Sequence, residues 1–544
     1  MSADILFVNG AVFDGHRHRP GLSVAVRSGR IFAVAPDLSG VTGPRTEVVD
    51  VAGGLLLPGF VDAHVHPVQG GLERRRCDLS GASGRAACVP MIASYAAAHP
   101  EADWILGGGW HQPDFPGGTP TAAELDAVVG DRPAFLMNAD HHGAWVSSRA
   151  LTLAGLDART PDPPDGRIER AEDGTPTGTL HEGAMDLVGA LVPSTTHIEQ
   201  VAALMEAQAY LHSLGITGWQ DAILGEYANF SDASSAYVEL AREGRLTARV
   251  VGALWWQRDR GVEQIHELIE RREALQYGRF RADSVKIMQD GVAETFTAGM
   301  LQPYLDGCGC RTTNAGLSFV DPAALRELVT LLDAEDFQVH VHAIGDRAVR
   351  EALDAFEAAR VANGGNDLRH HIAHLQVIHP DDIGRFAALG VTANMQALWA
   401  VYERQMLDLT IPFLGPQRTG WQYPFADLAR SGAELAAGSD WPVSSPDPLA
   451  AVHVAVNRRA PAALADGRYD AFLPEQALDL ATALAAYTSG SARLNHADDT
   501  GRIEVGSLAD LAVLDRDPFA GVPEEIADAT VLATYVEGEL VFSG

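Results

Sequence analysis

Four cysteines in 544 residues are too few for a disulfide framework. No apolar run approaches the roughly 18 residues that a membrane-spanning helix needs. Basic residues are scarce: 40 Lys+Arg stand against 72 Asp+Glu, a formal charge of −32. Nucleic acid and anionic membrane would both be repelled, so neither is an expected partner. The opening stretch, MSADILFVNGAVFDG, has acidic residues and an early glycine where a signal peptide has a basic and then an apolar segment. The expected location is therefore cytoplasmic. Low-complexity tracts, heptads and short repeats are also missing. The pair Cys308 and Cys310, in YLDGCGCRTT, reads as two loop thiols rather than a soft-metal site.

What remains is an ordinary globular composition, 47% hydrophobic, long enough for one large domain with accessories. Both ends are Val-rich short segments bounded by Gly and Asp, with alternation such as Val24 and Val26 against Ala25 and Arg27. Residues 1–57 and 497–544 are expected to pair into one small β-sandwich. Between them, strand-like and helical stretches alternate, the pattern of a parallel α/β sheet. Eight candidate strands fall at 60–66, 215–222, 249–256, 284–291, 338–346, 369–376, 391–397 and 434–441. Eight such units predict an α/β fold of the (β/α)₈ TIM-barrel type over 58–496, with its site at the C-terminal strand ends. The gap after the first strand is too long for a crossover. It predicts an inserted subdomain over 70–196, placed to cover the barrel mouth.

The first strand, in LLLPGFVDAHVHP, ends in His64 and His66. Positions i and i+2 of a strand share a face, so both imidazoles project together, as two ligands of one metal must. Other strand ends add to them. The fourth carries Lys286 in VKIMQDG, the fifth His342 in HVHAIGDRA, the sixth His374 in HHIAHLQ and the eighth Asp440 in AAGSDWP. Residues scattered by chance would not keep to one end of one barrel.

This series resembles the amidohydrolase superfamily of metal-dependent hydrolases, and within it the branch that includes N-substituted formamide deformylases. The likeness runs through PGFVDAHVHP, GGGWHQPDF, DHHGAWVSSRAL, PTGTLHEGAMDLV, KIMQDG, HAIGDRAV, IAHLQ, GSDWPV and GSLADLAVLDRDP. It implies that His64 and His66 bind the more buried metal, and His342 and His374 the second. It also implies that Asp440 ligates the first metal and shuttles the proton, and that Lys286, carboxylated by carbon dioxide, bridges the two. The chain departs from relatives in VAETFTAG, after KIMQDG, a loop expected to face the substrate.

The chemistry supports those roles independently. Zinc takes imidazole and carboxylate ligands, and a catalytic site keeps a position for water. A free lysine ammonium would repel two dications, so Lys286 is either an ion-paired core lysine or a carbamate. Asp440 is read as metal ligand and general base, the alternative being a helix N-cap. Substrate contacts are assigned to Trp110, His142, Asp290, His340 and Trp441. Each has a plainer structural role available, Asp290 and Asp346 as turn residues and His340 and His370 or His371 as outer partners of ligands. Arg347 reads as a salt bridge to its neighbouring helix. Of the tryptophans, Trp219 and one of Trp255 and Trp256 are expected to fill the barrel–helix interface, while Trp110 and Trp441 are expected to line an apolar pocket.

The function expected is hydrolysis of a C–N bond in an amide or N-acyl amine, N-formyl included. Metal-bridged hydroxide attacks the carbonyl and Asp440 protonates the amine. Two zinc ions per chain and a homodimer are expected. The alternatives are a mononuclear deaminase or cyclic-amide hydrolase on the same barrel, or a regulatory protein on a disabled one.

Overall fold

The computed structural model describes residues 2–82, 84–227 and 230–544. Eight parallel strands run Phe60–Val65, Ile216–Leu224, Arg249–Trp255, Phe280–Met288, Gln338–Ala343, His371–His374, Thr392–Met395 and Leu435–Ala437, each hydrogen-bonded to the next. They are hereafter the first to eighth barrel strands, and all eight overlap the segments predicted. The last strand returns to the first through the chain beyond its end: Asp440 N–H donates to His64 O (2.7 Å) and His66 N–H to Trp441 O (2.8 Å). The Asn394 amide also donates to Ala63 O (2.9 Å). The result is a nearly closed TIM-type barrel.

Helices pack outside by their apolar stripes. Pro322–Ala334 is representative. Asp321 caps it by accepting from Ala323 N–H and Ala324 N–H, Pro322 sits in the first turn, and Leu325, Leu328, Val329 and Leu332 face the barrel.

The two ends of the chain build two further sheets. In the four-stranded one, Ile5–Val8 lies between Ser23–Arg27 and Glu47–Asp50, with Arg30–Ala35 at the edge. In the six-stranded one, Leu511–Leu514 pairs antiparallel with Leu55–Pro58, Leu514 opposite Leu55, and Val531–Val536 follows outside it. Phe7, Val24, Val26, Leu56, Leu511 and Tyr535 share the core between the two sheets. The alternation expected in Ser23–Arg27 is only half of the picture. Ala25 is also buried, against Leu6 and Leu38, because the turn around Leu38 covers the second face.

After the first barrel strand, helix Pro67–Arg75 packs on helix His197–Ser213 and shares the barrel's core through Val68 and Leu72. The helices touch closely: a Cβ on Gly71 would lie 2.0 Å from Ala203 O, and one on Gly70 would strike the Trp441 ring. The inserted sheet therefore begins past this helix, at Cys77 rather than at 70. Its six strands run from Cys77–Asp78 to Pro176–Glu182 and enclose their own cores. Among the described residues no helix is long and apolar enough to cross a membrane.

Candidate metal centre

Seven of the residues singled out in the sequence, His64, His66, His142, Lys286, His342, His374 and Asp440, line one cavity at the C-terminal mouth of the barrel. Its tightest group is His64, His374 and Asp440, whose ligand atoms all lie within 4.8 Å of one another. Asp440 Oδ1 stands 3.1 Å from His64 Nε2 and 3.0 Å from His66 Nε2, and Oδ2 is 3.9 Å from His374 Nδ1. Lys286 Nζ is 3.4 Å from His64 Nε2. His342 stands beside His374, ring centroids 4.4 Å apart. His374 thus stands between the two pairs named from the resemblance, near His64 and Asp440 as well as His342.

Backbone conformation helps to converge these side chains. His374 (φ 79°), Leu375 (φ 55°) and Asp440 (φ 58°) all occupy the left-handed region, as do His141 (φ 64°) and Glu182 (φ 51°) beside the cavity. Non-glycine residues pay for that conformation, and such residues gather where the surrounding structure fixes a functional geometry.

The electrostatics suit a cation. Burial, then the neighbouring Lys286, lowers the His64 imidazole to about 3, so it is a neutral ligand. Burial and His342 likewise hold His374 well below its ordinary value. Burial works to raise the Asp440 carboxyl, but His64, His66 and His374 outweigh it and keep it ionised. Burial lowers the Lys286 amine to about 7, within reach of its neutral form near neutrality. Nδ1 of His374 is buried without a hydrogen-bond partner, and Nδ1 of His342 lies 3.2 Å from Asp290 Oδ1. A buried, unpartnered imidazole nitrogen with further imidazoles beside a carboxylate is a donor set that a divalent cation fits.

Beneath the site, His340 is fully buried and its Nε2 lies 2.9 Å from His64 Nδ1, which turns His64 Nε2 toward Asp440 and Lys286. His340 thus stands behind His64 and does not border the cavity, the placement of an outer partner and not of a substrate contact, the two roles open to it from the sequence. Asp290 is corrected as well. Its two carboxylate oxygens accept from the backbone N–H groups of Gly299, Ile344 and Gly345, and Oδ1 lies 3.2 Å from His342 Nδ1, so it stands behind His342 and does not border the cavity. Two tryptophans face elsewhere. Trp110 is buried in the insert, edge-on to Phe115 and Trp145, with Nε1 donating to Leu136 O (2.9 Å). Trp441 follows the left-handed Asp440, which turns its ring outward against Tyr210 and Gly70. Asp346 accepts from Leu301 N–H (2.8 Å), Arg347 pairs with Glu351 (3.6 Å), and His370 points out to Asp333 (2.9 Å).

Sequence reading missed several cavity residues. The aromatic wall is Tyr227, Trp255 and Trp399, the last stacked 3° from parallel on His374 at 5.1 Å. Gln69 and His141 also line the cavity, hydrogen-bonded to each other at 2.8 Å, with His141 Nε2 held by Glu73 (2.8 Å). His142 Nδ1 lies 3.0 Å from both oxygens of Glu182, which in turn accepts from Thr297 Oγ1 (2.9 Å). Burial would lower the His142 imidazole, but Glu182 outweighs it and raises it to about 9. One strong signal was available and unused: Lys286 is the only lysine in the chain.

The model of the Amidohydrolase family matches residues 47–542. The chain is 31% identical to Protein LONG AFTER FAR-RED 3 of Arabidopsis thaliana over 99% of this chain and 92% of that protein. It is 27% identical to an N-substituted formamide deformylase of Arthrobacter pascens, over 99% and 98% of the two. Among solved structures it is similar to an uncharacterized metal-dependent hydrolase of Pyrococcus horikoshii, with a TM-score of 0.72, 26% identity and coverage of 96% and 99%. The chain belongs to the amidohydrolase family, in a branch like that of the formamide deformylase, and its barrel-mouth site is that of a metal-dependent hydrolase.

Proposed function

We propose that this protein hydrolyses the C–N bond of an amide or N-acyl amine, N-formyl amines included, with a metal held by His64, His66, His342, His374, Asp440 and Lys286. The observation that carries the reading is Asp440. It is an ionised carboxylate within 3.1 Å of two imidazoles, at the wall of a cavity large enough for a small organic molecule. A divalent cation, zinc being well matched to this donor set, supplies Lewis acidity for the carbonyl and lowers the pKa of water.

The chain's own residues do the rest. Asp440 takes a proton from the attacking water and delivers it to the departing nitrogen. His142, its Nδ1 tied to Glu182, presents the opposite edge of its ring to the cavity and hydrogen-bonds the acyl oxygen. Trp255, Trp399 and Tyr227 exclude bulk water and orient the organic groups. Lys286, half-neutral near pH 7, is set to react with carbon dioxide, and its carbamate would be an anionic ligand where an ammonium would repel a metal. The relative named N-substituted formamide deformylase supports the choice of bond.

The tight three-residue group of His64, His374 and Asp440 favours a second reading, a single metal with an open position. Elemental analysis separates the two: a ratio near two metals per active chain is expected, and full activity at one metal removes the binuclear version. Because Lys286 is the only lysine, protein prepared in ¹³C-bicarbonate should show one carbamate resonance that is lost in Lys286→Ala. Turnover is tested with a panel of N-formyl and N-acetyl amines on the metal-loaded protein. No hydrolysis across that panel would reject the proposed reaction.

A further inference from the structure

The metal cavity opens sideways. A second cavity shares His66, Gln69, Ile223 and Tyr227 with it, and continues outward between helix Pro67–Arg75 and residues 230–233. Val68, Leu72, Ile223, Phe230 and Ala233 give it apolar walls. Three of the polar side chains in those walls are engaged within the protein. Gln200 Nε2 donates to Ser231 O (3.0 Å), and Thr195 Oγ1 accepts from Arg76 (3.0 Å). Asp221 Oδ1 accepts from Ile223 N–H (3.1 Å), and Oδ2 from the Tyr237 hydroxyl (2.7 Å). Apolar walls whose polar neighbours Gln200, Thr195 and Asp221 are turned to the protein favour binding by shape and apolar contact.

Its position says which half of a substrate enters it. Asp440 must lie within hydrogen-bond reach of the nitrogen it protonates, and its Oδ1 is 3.0 Å from His66, one of the four residues that wall both cavities. On the far side stand His142, His342, Ile344 and Trp399, none of which borders the second chamber. We propose that this side chamber receives the apolar substituent on the departing nitrogen, so that the protein selects amides by the bulk of their amine half and not of their acyl half. The inference rests on the hydrolase reading above and deepens it.

Ile223, at the shared wall, sets the width. Ile223→Phe narrows the chamber, Ile223→Ala widens it, and Ala233→Leu narrows it from the opposite side should the first variant fold poorly. Two substrate series decide the matter, one running from N-methyl to N-(cyclohexylmethyl) formamide and the other from formyl to butanoyl on methylamine. Ile223→Phe should cut the preference for the bulky amine by about tenfold or more, the order of discrimination a methylene-sized misfit gives in an apolar pocket. Ile223→Ala should move that preference the other way, with the acyl preference unmoved. Equal shifts in both series, or none in either, overturn the assignment. Calorimetric binding of N-(cyclohexylmethyl)methanesulfonamide, which is not hydrolysed, reads the chamber without turnover and should weaken by a similar factor in Ile223→Phe. Binding that depends on Ile223 in a protein that hydrolyses no amide sustains the chamber and rejects the hydrolase reading. Binding indifferent to Ile223→Phe and Ala233→Leu rejects the chamber.

Discussion

At the scale of single residues the site depends on a few atoms held from behind. Asp440 has the least freedom, left-handed in backbone and bounded by His64 and His66 at 3.1 and 3.0 Å. Asp440→Asn keeps the shape and removes the proton carrier. Turnover should fall by about 10² to 10⁴ while most of the metal is retained. Parallel measurement of kcat and metal content checks this, and a variant with metal and more than half of wild-type kcat would make Asp440 structural. His340 acts one step further back. His340→Phe leaves His64 Nδ1 without its partner and frees the ring to turn. Removing such an outer partner weakens metal binding by about 10- to 100-fold, so the apparent metal affinity by competition with a chelator should drop while the thermal unfolding of the metal-free protein changes little.

At the scale of elements, two contacts position the barrel walls. Helices Pro67–Arg75 and His197–Ser213 meet where Gly71 faces Ala203 O, at a distance that leaves no room for a methyl group. Gly71→Ala should force them apart and destabilise the fold by about 1–3 kcal/mol, as overpacking does, with a matching loss of midpoint in urea. The second contact joins helix Pro322–Ala334 to the sixth strand through Asp333 and His370. Burial works to raise the Asp333 carboxyl, but His370, Asn366 and Asn363 outweigh it and bring it down to about 2 from 3.8. A carboxyl depressed by folding stabilises the native state above its unfolded pKa, and the contribution is lost as pH falls through 3.8 toward 2. That difference is worth about 2 kcal/mol. Stability of wild type relative to Asp333→Asn should be flat above pH 5 and decline below pH 4. A constant difference down to pH 2 would refute the assignment.

At the scale of the whole molecule, the chain's ends support its centre. Leu511–Leu514 covers Leu55–Pro58, two residues before the strand that carries His64 and His66. Removing residues 505–544 would expose Leu55 and Leu57, both fully buried, and strip the hydrogen bonds from that edge. The truncated chain should be recovered mostly insoluble or without bound metal. A soluble, metal-loaded truncation would show that the terminal sheets are dispensable.

The histidines and aspartate at the strand ends were legible because their position depends only on local rules. His64 and His66 share a face by strand alternation, and eight apolar segments separated by helices leave few architectures besides a barrel. Those rules fail where the backbone leaves the strand. The left-handed turn at Asp440 sends Trp441 outward, away from the site it adjoins in sequence. Trp399, just past the seventh strand, instead folds back onto His374. Trp110 obeys alternation, but within the insert's own sheet, whose cores could not be assigned before its strands were paired. Asp290 finds three backbone N–H groups from two separate loops, and His340 finds His64 across the barrel. Sequence by itself determined the barrel and the strand ends at which these side chains gather, since both follow from spacing along one strand at a time. Only tertiary structure decided which side chains face the cavity, which stand behind the ligands and where a side chamber opens, because each depends on contacts between segments distant in the chain.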